Sequence, residues 1–341
     1  MNREQVTKAR RVVIKIGSSS LTGTAGAALD PHSVTKIVDL AASLRKRGAE
    51  VVIVSSGAIA AGLAPLSLKV RPKDLATQQA AASVGQGLLI ARYNENFSHH
   101  NIISSQVLLT TEDVVRRSHY QNAQQALNKL LSLGVVPIIN ENDTVGTQEI
   151  RFGDNERLAA LVALLIHADL LVLVSDIDAL YDAPPQQVGA QAIHHVSQMS
   201  DIDSVVVGGA GSAGVGSGGM VTKIEAARIS TGAGIPMLLT SLAQSGHALD
   251  GENVGTYFEA QQSKANSRLL WLAHASTPRG RLVLDDGAVS AILERGVSLL
   301  PAGVTAVEGE FISGDTVELA SQSGKVIARG LVAFDSEEIP Q

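Results

Sequence analysis

The chain contains no cysteine. That excludes disulfide bridges, thiolate zinc sites and iron–sulfur clusters, and it fits a reducing compartment. Aromatic residues are scarce: five Phe, four Tyr and one Trp in 341 residues. Neither charge dominates, since 27 basic residues face 33 acidic ones for a net −6. No apolar run reaches the roughly 18 residues a membrane span requires. The longest candidate, LAALVALLIHADLLVLV (158–174), is interrupted by His167 and Asp169. The polar start MNREQVTKARR leads straight into a short strand-like stretch, without the apolar segment of a signal peptide. These absences lead to the expectation of a soluble, cytoplasmic, mildly acidic protein. What is present is 45% apolar residues and 32 glycines, an ordinary globular composition that excludes a disordered chain. The length exceeds one comfortable core, so two domains are expected.

Over roughly residues 1–258, apolar strand-like runs alternate with helical spacing. The runs are VVIKI (12–16), VVIVS (51–55), VVPII (135–139), LLVLV (170–174) and PMLLT (236–240). Between the first two, Val34, Ile37, Val38, Ala41 and Leu44 fall on one helical face. Asp30-Pro31 supplies a cap and a first-turn proline, and Arg45, Lys46, Arg47 and Gly48 close the helix. Strands this apolar are buried on both faces, which predicts an αβα sandwich with a mainly parallel sheet. Composition shifts over 259–278, read as a linker. Beyond it RLVLD, TAVEGEF, DTVEL and KVIARGLVAF read as short strands, with one helix in GAVSAILERG. A small mostly-β domain over 279–341 is the expectation.

The segment 205–230 contains two overlapping GxGxxG matches, Gly209/Gly211/Gly214 and Gly214/Gly216/Gly219. A dinucleotide fold also requires an acidic residue closing the next strand. PMLLTSLAQSG ends without one, and the loop is too long for a tight strand-to-helix turn. No Walker-type GxxxxGK[S/T] occurs either. Glycines alone fit a surface loop. The ending Gly218-Gly219-Met220-Val221-Thr222-Lys223 says more, because it joins free N–H groups at a helix start to a first-turn lysine. A cation is disfavoured there unless an anion offsets it.

A second such place is Lys15-Ile16-Gly17-Ser18-Ser19-Ser20. A lysine inside an apolar strand is either an edge residue facing solvent or a buried charge with a partner. A third is Ser55-Ser56-Gly57-Ala58, opening a helix. The richest is Asn140-Glu141-Asn142-Asp143, followed by Gly153-Asp154-Asn155-Glu156 at the head of another helix, where Asp154 could simply be a cap. In an open parallel sheet all these strand ends face one crevice. Two lysines, N–H-rich turns and a few carboxylates suit phosphoryl transfer, which needs positioning and charge neutralisation rather than a covalent nucleophile.

The segments VVIKIGSSSLT, VVIVSSGAIAAG, RPKDLATQQAAASVGQ, QVLLT, PIINENDTV, RFGDNERLAALVA, LVLVSDIDALYD and GVGSGGMVTKIEAA occur in that order. The set resembles the glutamate 5-kinase family of amino-acid-kinase-fold enzymes over nearly the whole chain. The stretch beginning RGRLVLDDGAVSAILERG resembles the PUA-type domain that these enzymes often carry. The resemblance implies transfer of the γ-phosphoryl group of ATP, with Mg²⁺, to the side-chain carboxylate of L-glutamate in proline biosynthesis. It implies that Lys15 and Lys223 stabilise the moving phosphoryl group and that Ser56, Asp143 and Asn155 bind glutamate, with Asp143 on the α-ammonium. Ser175 and Asp176 would hold the nucleotide together with Ser217, Gly218, Gly219, Met220, Val221, Thr222 and both lysines. Feedback inhibition by proline and a homo-oligomeric assembly are further implications.

Three departures from the family pattern stand out. Glu156 replaces the usual aspartate that organises the two lysines. Ala179 replaces a glycine in Asp176-Ile177-Asp178-Ala179-Leu180-Tyr181, and a left-handed alanine there would cost about 1–2 kcal/mol. The chain also stops at Gln341, short of the usual end of the PUA-type domain, which would leave that domain without its final strand. PUA-type domains often bind RNA, which offers a reading of another class. Residues 279–341, however, carry five basic and ten acidic residues, and a phosphate backbone needs a basic face. A structural or regulatory module is therefore expected. The pairs His99-His100 and His194-His195 lack metal-like spacing and read as surface residues. Trp271 reads as a packing residue, and no GxSxG elbow occurs.

Overall fold

A computed structural model describes residues 3–22, 28–110, 113–114, 117–145, 154–183, 187–202, 219–261 and 278–339. These residues fall into two compact units, one drawn from the first 261 residues and one centred on 278–339. Trp271 and most of the expected linker lie outside the described residues.

The five apolar runs become strands β1 (Arg11–Ile16), β2 (Glu50–Ser55), β4 (Val136–Glu141), β5 (Leu170–Ser175) and β9 (Met237–Ser241). β3 (Ser104–Leu109), β8 (His195–Val196) and β10 (Thr256–Phe258) complete an eight-stranded sheet of order β3-β4-β2-β1-β5-β9-β10-β8. A two-stranded ribbon, β6 (Leu180–Tyr181) with β7 (Ala192–Ile193), stands beside it. All pairings in the large sheet are parallel except β9 with β10. Near-complete burial along β1, β2, β4 and β5 shows both faces covered.

The helices are α1 (Glu4–Lys8), α2 (Ser18–Leu21), α3 (Pro31–Lys46), α4 (Ala58–Leu63), α5 (Leu75–Ser98), α6 (Arg117–Ser132), α7 (Asp154–Leu165), α8 (Met220–Gly232) and α9 (Ser245–Leu249). Asp30 caps α3 by accepting from the His32 and Ser33 amides, and Val34, Ile37, Val38, Ala41 and Leu44 are buried on its inner face. Those residues share one core with Val12, Ile14, Ile16, Val51 and Ile53 and with Leu89, Tyr93 and Phe97 of α5. Side chains alternate along a strand, so Lys15 points to the opposite face, where α7 packs. α4 and α5 cross with their backbones in contact. A Cβ on Gly62 would collide with the Ala81 carbonyl, and one on Gly85 with the Ala58 carbonyl. Only glycine fits at that crossing, and it sets where Gln86 sits.

At the start of the chain, the buried Arg3 ties α1 down. Its guanidinium donates to the carbonyls of Glu252 (2.8 Å) and His194 (2.9 Å). His194 and His195 are half-buried, not surface residues as expected. His194 Nδ1 lies 3.0 Å from the Gly255 carbonyl, and His195 Nε2 lies 3.0 Å from Glu259. No helix among the described residues is long and apolar enough to cross a membrane.

The second unit is a four-stranded sheet of order β12-β11-β13-β14, built from β11 (Gly280–Leu284), β12 (Val304–Gly309), β13 (Thr316–Ser321) and β14 (Val326–Leu331). α10 (Asp286–Arg295) is capped by Asp285 and ends on left-handed Gly296. Leu282, Leu284, Phe311, Val317, Leu319 and Ile339 form its core.

Candidate active site

Four neighbouring parallel strands, β4-β2-β1-β5, deliver their C-terminal ends to one edge of the sheet. Lys15 stands near the end of β1, in register with Val54 of β2 and Leu173 of β5. It therefore lies in the middle of the sheet, and the edge-strand alternative fails. Its ammonium curls over Gly17, 3.4 Å from where a Cβ on that glycine would sit.

The partner of this buried charge is Glu156, in the first turn of α7. Lys15 Nζ lies 2.6 Å from Glu156 Oε1, and Lys223 Nζ, from the first turn of α8, lies 3.8 Å from the same oxygen. The three side chains retain only 5, 6 and 9% of their surface for Lys15, Glu156 and Lys223. Arg157 Nη1 to Glu225 Oε1 at 2.6 Å makes a second link between α7 and α8. Burial lowers the Lys15 pKa below an ordinary lysine's, opposed chiefly by Glu156. Two ammonium groups converge on one buried carboxylate, so a polyanion entering there would meet both lysines. Glu156, despite its extra methylene, reaches both lysines.

A neutral chain of side chains adjoins the charged group. Asn155 Nδ2 donates to Ser56 Oγ at 2.8 Å and to Asn140 Oδ1 at 3.2 Å. Asn140 Nδ2 donates to Gln86 Oε1 at 2.8 Å, and Asn140 Oδ1 also accepts from the Glu141 amide at 2.9 Å. Ser56 is itself held by its amide bond to the Ile16 carbonyl (3.1 Å). Beneath it, fully buried Tyr93 meets Ser55 Oγ at 2.9 Å.

Asp143 does not touch Ser56 or Asn155 in any of these bonds. It lines a cavity of about 260 Å³ with Ala58, Ser83, Gln86, Gln106 and Asn142, so Gln86 is where the cavity meets the amide chain. That volume is below the roughly 300–1,000 Å³ of sites for drug-sized ligands, and it suits a molecule of amino-acid size. Arg71 interacts with Asp143, while burial pulls its own pKa down to about 10. Ser175 donates to Asp176 Oδ1 at 2.8 Å, and the exposed Asp176 lies close enough to act electrostatically on Lys15.

Gly219 caps α8 with open space where a Cβ would be, and Met220, Val221 and Thr222 form its first turn, with Thr222 Oγ1 donating to the Gly219 carbonyl (2.9 Å). Ser217 and Gly218 lie outside the described residues. Ala179 is not left-handed, so the cost that a left-handed alanine would carry does not arise. Sequence reasoning singled out neither Gln86, which lines the cavity, nor Arg71, which interacts with Asp143. The tripeptide Val84-Gly85-Gln86 was the available signal for the first.

The fold and site together define a phosphotransferase of the amino-acid-kinase type. The family model described as "Amino acid kinase family" matches residues 10–241, and "PUA domain" matches residues 280–341. Among solved structures, the carbamate kinase from Giardia lamblia bound to AMP-PNP aligns with a TM-score of 0.56 at 17% identity, covering 75% of this chain and 100% of that one. The UMP kinase from Bacillus anthracis aligns at 0.51 and 14%, covering 74% and 97%. These two show the fold alone. Curated relatives named glutamate 5-kinase match far more closely. The Streptomyces avermitilis protein is 59% identical, covering 99% of this chain and 90% of its own. Those of Thermobifida fusca and Bifidobacterium longum are 55% and 50% identical, again over 99% of this chain and over 87% and 90% of theirs. The chain belongs to the glutamate 5-kinases of the amino acid kinase family.

Proposed function

We propose that this chain transfers the γ-phosphoryl group of ATP to the side-chain carboxylate of L-glutamate, giving γ-glutamyl phosphate and ADP. The observation that carries the reading is the buried group Lys15–Glu156–Lys223 at the sheet edge. In the reaction a carboxylate oxygen of glutamate bonds to the γ-phosphorus, and the bond to the β–γ bridging oxygen breaks. The carboxylate is already ionised at neutral pH. No proton has to be removed, so the site needs no general base, and none is assigned. What it does need is positive charge for the phosphoryl oxygens, supplied by Lys15 and Lys223 in a setting largely closed to water.

Ser56, Asn155 and Asp143 hold glutamate in this reading, with the Asp143 carboxylate on the ammonium. Ser175, Asp176 and the first turn of α8 hold the nucleotide. The donor chemistry fits Mg²⁺ that arrives with the nucleotide. Among the described residues no cluster of three metal ligands occurs, Glu156 is engaged by two lysines, and Asp176 is an exposed carboxylate beside Lys15. Such an ion is held mainly by phosphates with one or two carboxylates. Bound there, it would neutralise charge on the β- and γ-phosphates. Competition by proline at the glutamate pocket, a homo-oligomeric state and a cytoplasmic location belong to the same proposal.

The test is an assay with ATP, Mg²⁺ and hydroxylamine, which traps an acyl phosphate as a hydroxamate. Glutamate-dependent hydroxamate is the expected product. Turnover of another acceptor with none from L-glutamate would end the reading.

A further inference from the structure

The amide chain beside the charged group has a direction, and one backbone group sets it. The Glu141 N–H can only donate, and it points at the side-chain oxygen of Asn140 (2.9 Å). The Asn140 nitrogen must then face Gln86, which turns its Oε1 toward it (2.8 Å) and its Nε2 away. On the other side, Asn155 gives its nitrogen to both Asn140 and Ser56, leaving its Oδ1 over. The chain thus ends in a donor, Gln86 Nε2, and an acceptor, Asn155 Oδ1. Both atoms are buried and neither has a hydrogen-bond partner. Leaving buried polar groups unmatched is costly, and a ligand that completes them is one explanation for such a pair. Gln86 itself is about nine-tenths buried and lines the cavity that holds Asp143.

We propose that Gln86 is a positioning residue for the amino-acid substrate. By accepting from Asn140, it fixes Asn155 with its oxygen free for an ammonium group, while its own Nε2 is free for a carboxylate oxygen. A donor at one end and an acceptor at the other are the complements, in chemical type, of the carboxylate and the ammonium group that an amino acid carries together. This rests on the reading of the site as a glutamate pocket, and it adds the residue that orients that pocket.

Two variants of the full-length protein test it in the hydroxamate assay. Gln86→Met keeps the length and removes both polar atoms. It should raise the glutamate KM roughly tenfold, leaving the ATP KM within about twofold and kcat close to the parent's. Gln86→Glu keeps the acceptor for Asn140 and loses the donor while ionised; once protonated, its carboxyl regains a donor in the same shape. Its glutamate KM, divided by the parent's, should therefore fall as pH is lowered from about 8 to 6, where a buried carboxyl takes up its proton. The Gln86→Met ratio should stay flat. A merely structural role would produce no such pH-dependent rescue. Unchanged glutamate KM in Gln86→Met, equal effects on both substrates, or pH-flat ratios in Gln86→Glu would each overturn the proposal. If Gln86→Met does not fold, the pH series of Gln86→Glu decides alone. A parent that forms no glutamate-dependent hydroxamate overturns the substrate reading and this inference with it. An active parent with unmoved variants overturns only the inference.

Discussion

The two units each hold one carboxylate between two cations. In the first, Glu156 lies between Lys15 and Lys223, all under 10% exposed. In the second, Glu318 lies between Arg281 (2.9 Å) and Arg329 (3.7 Å), with 21% of its side chain exposed and the arginines at 37 and 38%. The second group is a row of directly paired residues, Glu308-Arg281-Glu318-Arg329, running across neighbouring strands of an open sheet. Its charges alternate and water reaches them, so it is a solvated cross-strand ladder of small energetic weight. The first group comes from three elements remote in sequence and is cut off from water, which makes every charge count. In the proposed reading, a carboxylate flanked by two cations is surface decoration in one place and chemical apparatus in the other, and burial separates the two.

That contrast can be broken by experiment. The largest effect belongs to the lysines: Lys15→Ala and Lys223→Ala should each lower kcat about 10²–10³-fold with a modest change in the glutamate KM. Near-native kcat in either variant would remove its role in charge stabilisation. Glu156→Gln comes next. Taking the carboxylate from two buried ammonium groups should cost about 3–5 kcal/mol of stability, read as a lower midpoint in denaturant. Glu156→Asp, which restores the charge on a shorter arm, should recover part of it.

A subtler effect concerns pH. Desolvation holds the Lys15 pKa below the ordinary value. A lysine that acts as a cation loses its function as pH rises through that lowered pKa. The alkaline limb of kcat/KM should therefore fall below the roughly 10.4 of a free lysine, and Lys15→Arg should push it upward in whatever activity survives. A limb at or above the free-lysine value would show that Glu156 outweighs burial. The smallest effect is on the surface group: Glu318→Gln should leave the thermal midpoint where it was. A loss comparable to that of Glu156→Gln would mean that exposure does not separate the two motifs.

Much of the first unit was legible because its central strands are continuous apolar runs, and their polar punctuation marks the strand ends. The sheet edge was harder. Ser104–Leu109 reads as polar and mixed because most of β3 is only partly buried, and β6, β7 and β8 have two residues each. Gln86 was hidden for a different reason. A glutamine inside a helix looks like a solvated residue until the crossing at Gly62 and Gly85 turns it inward. The half-burial of His194 and His195 depends on contacts with residues that lie far away in the chain. At Ala179 the family pattern has a glycine, but the backbone there is not left-handed and an alanine fits without strain, which the residue type alone does not reveal.

Arg3 has a further consequence, for the order in which the protein is made. Its carbonyl acceptors belong to residues 194, 252, 254 and 255. The ribosome adds about 5–20 residues per second, so the third residue of the chain waits on the order of 10–50 s for its partners. The segment around Arg3 is thus made long before it is secured, and the first unit closes only when its far end has been synthesised.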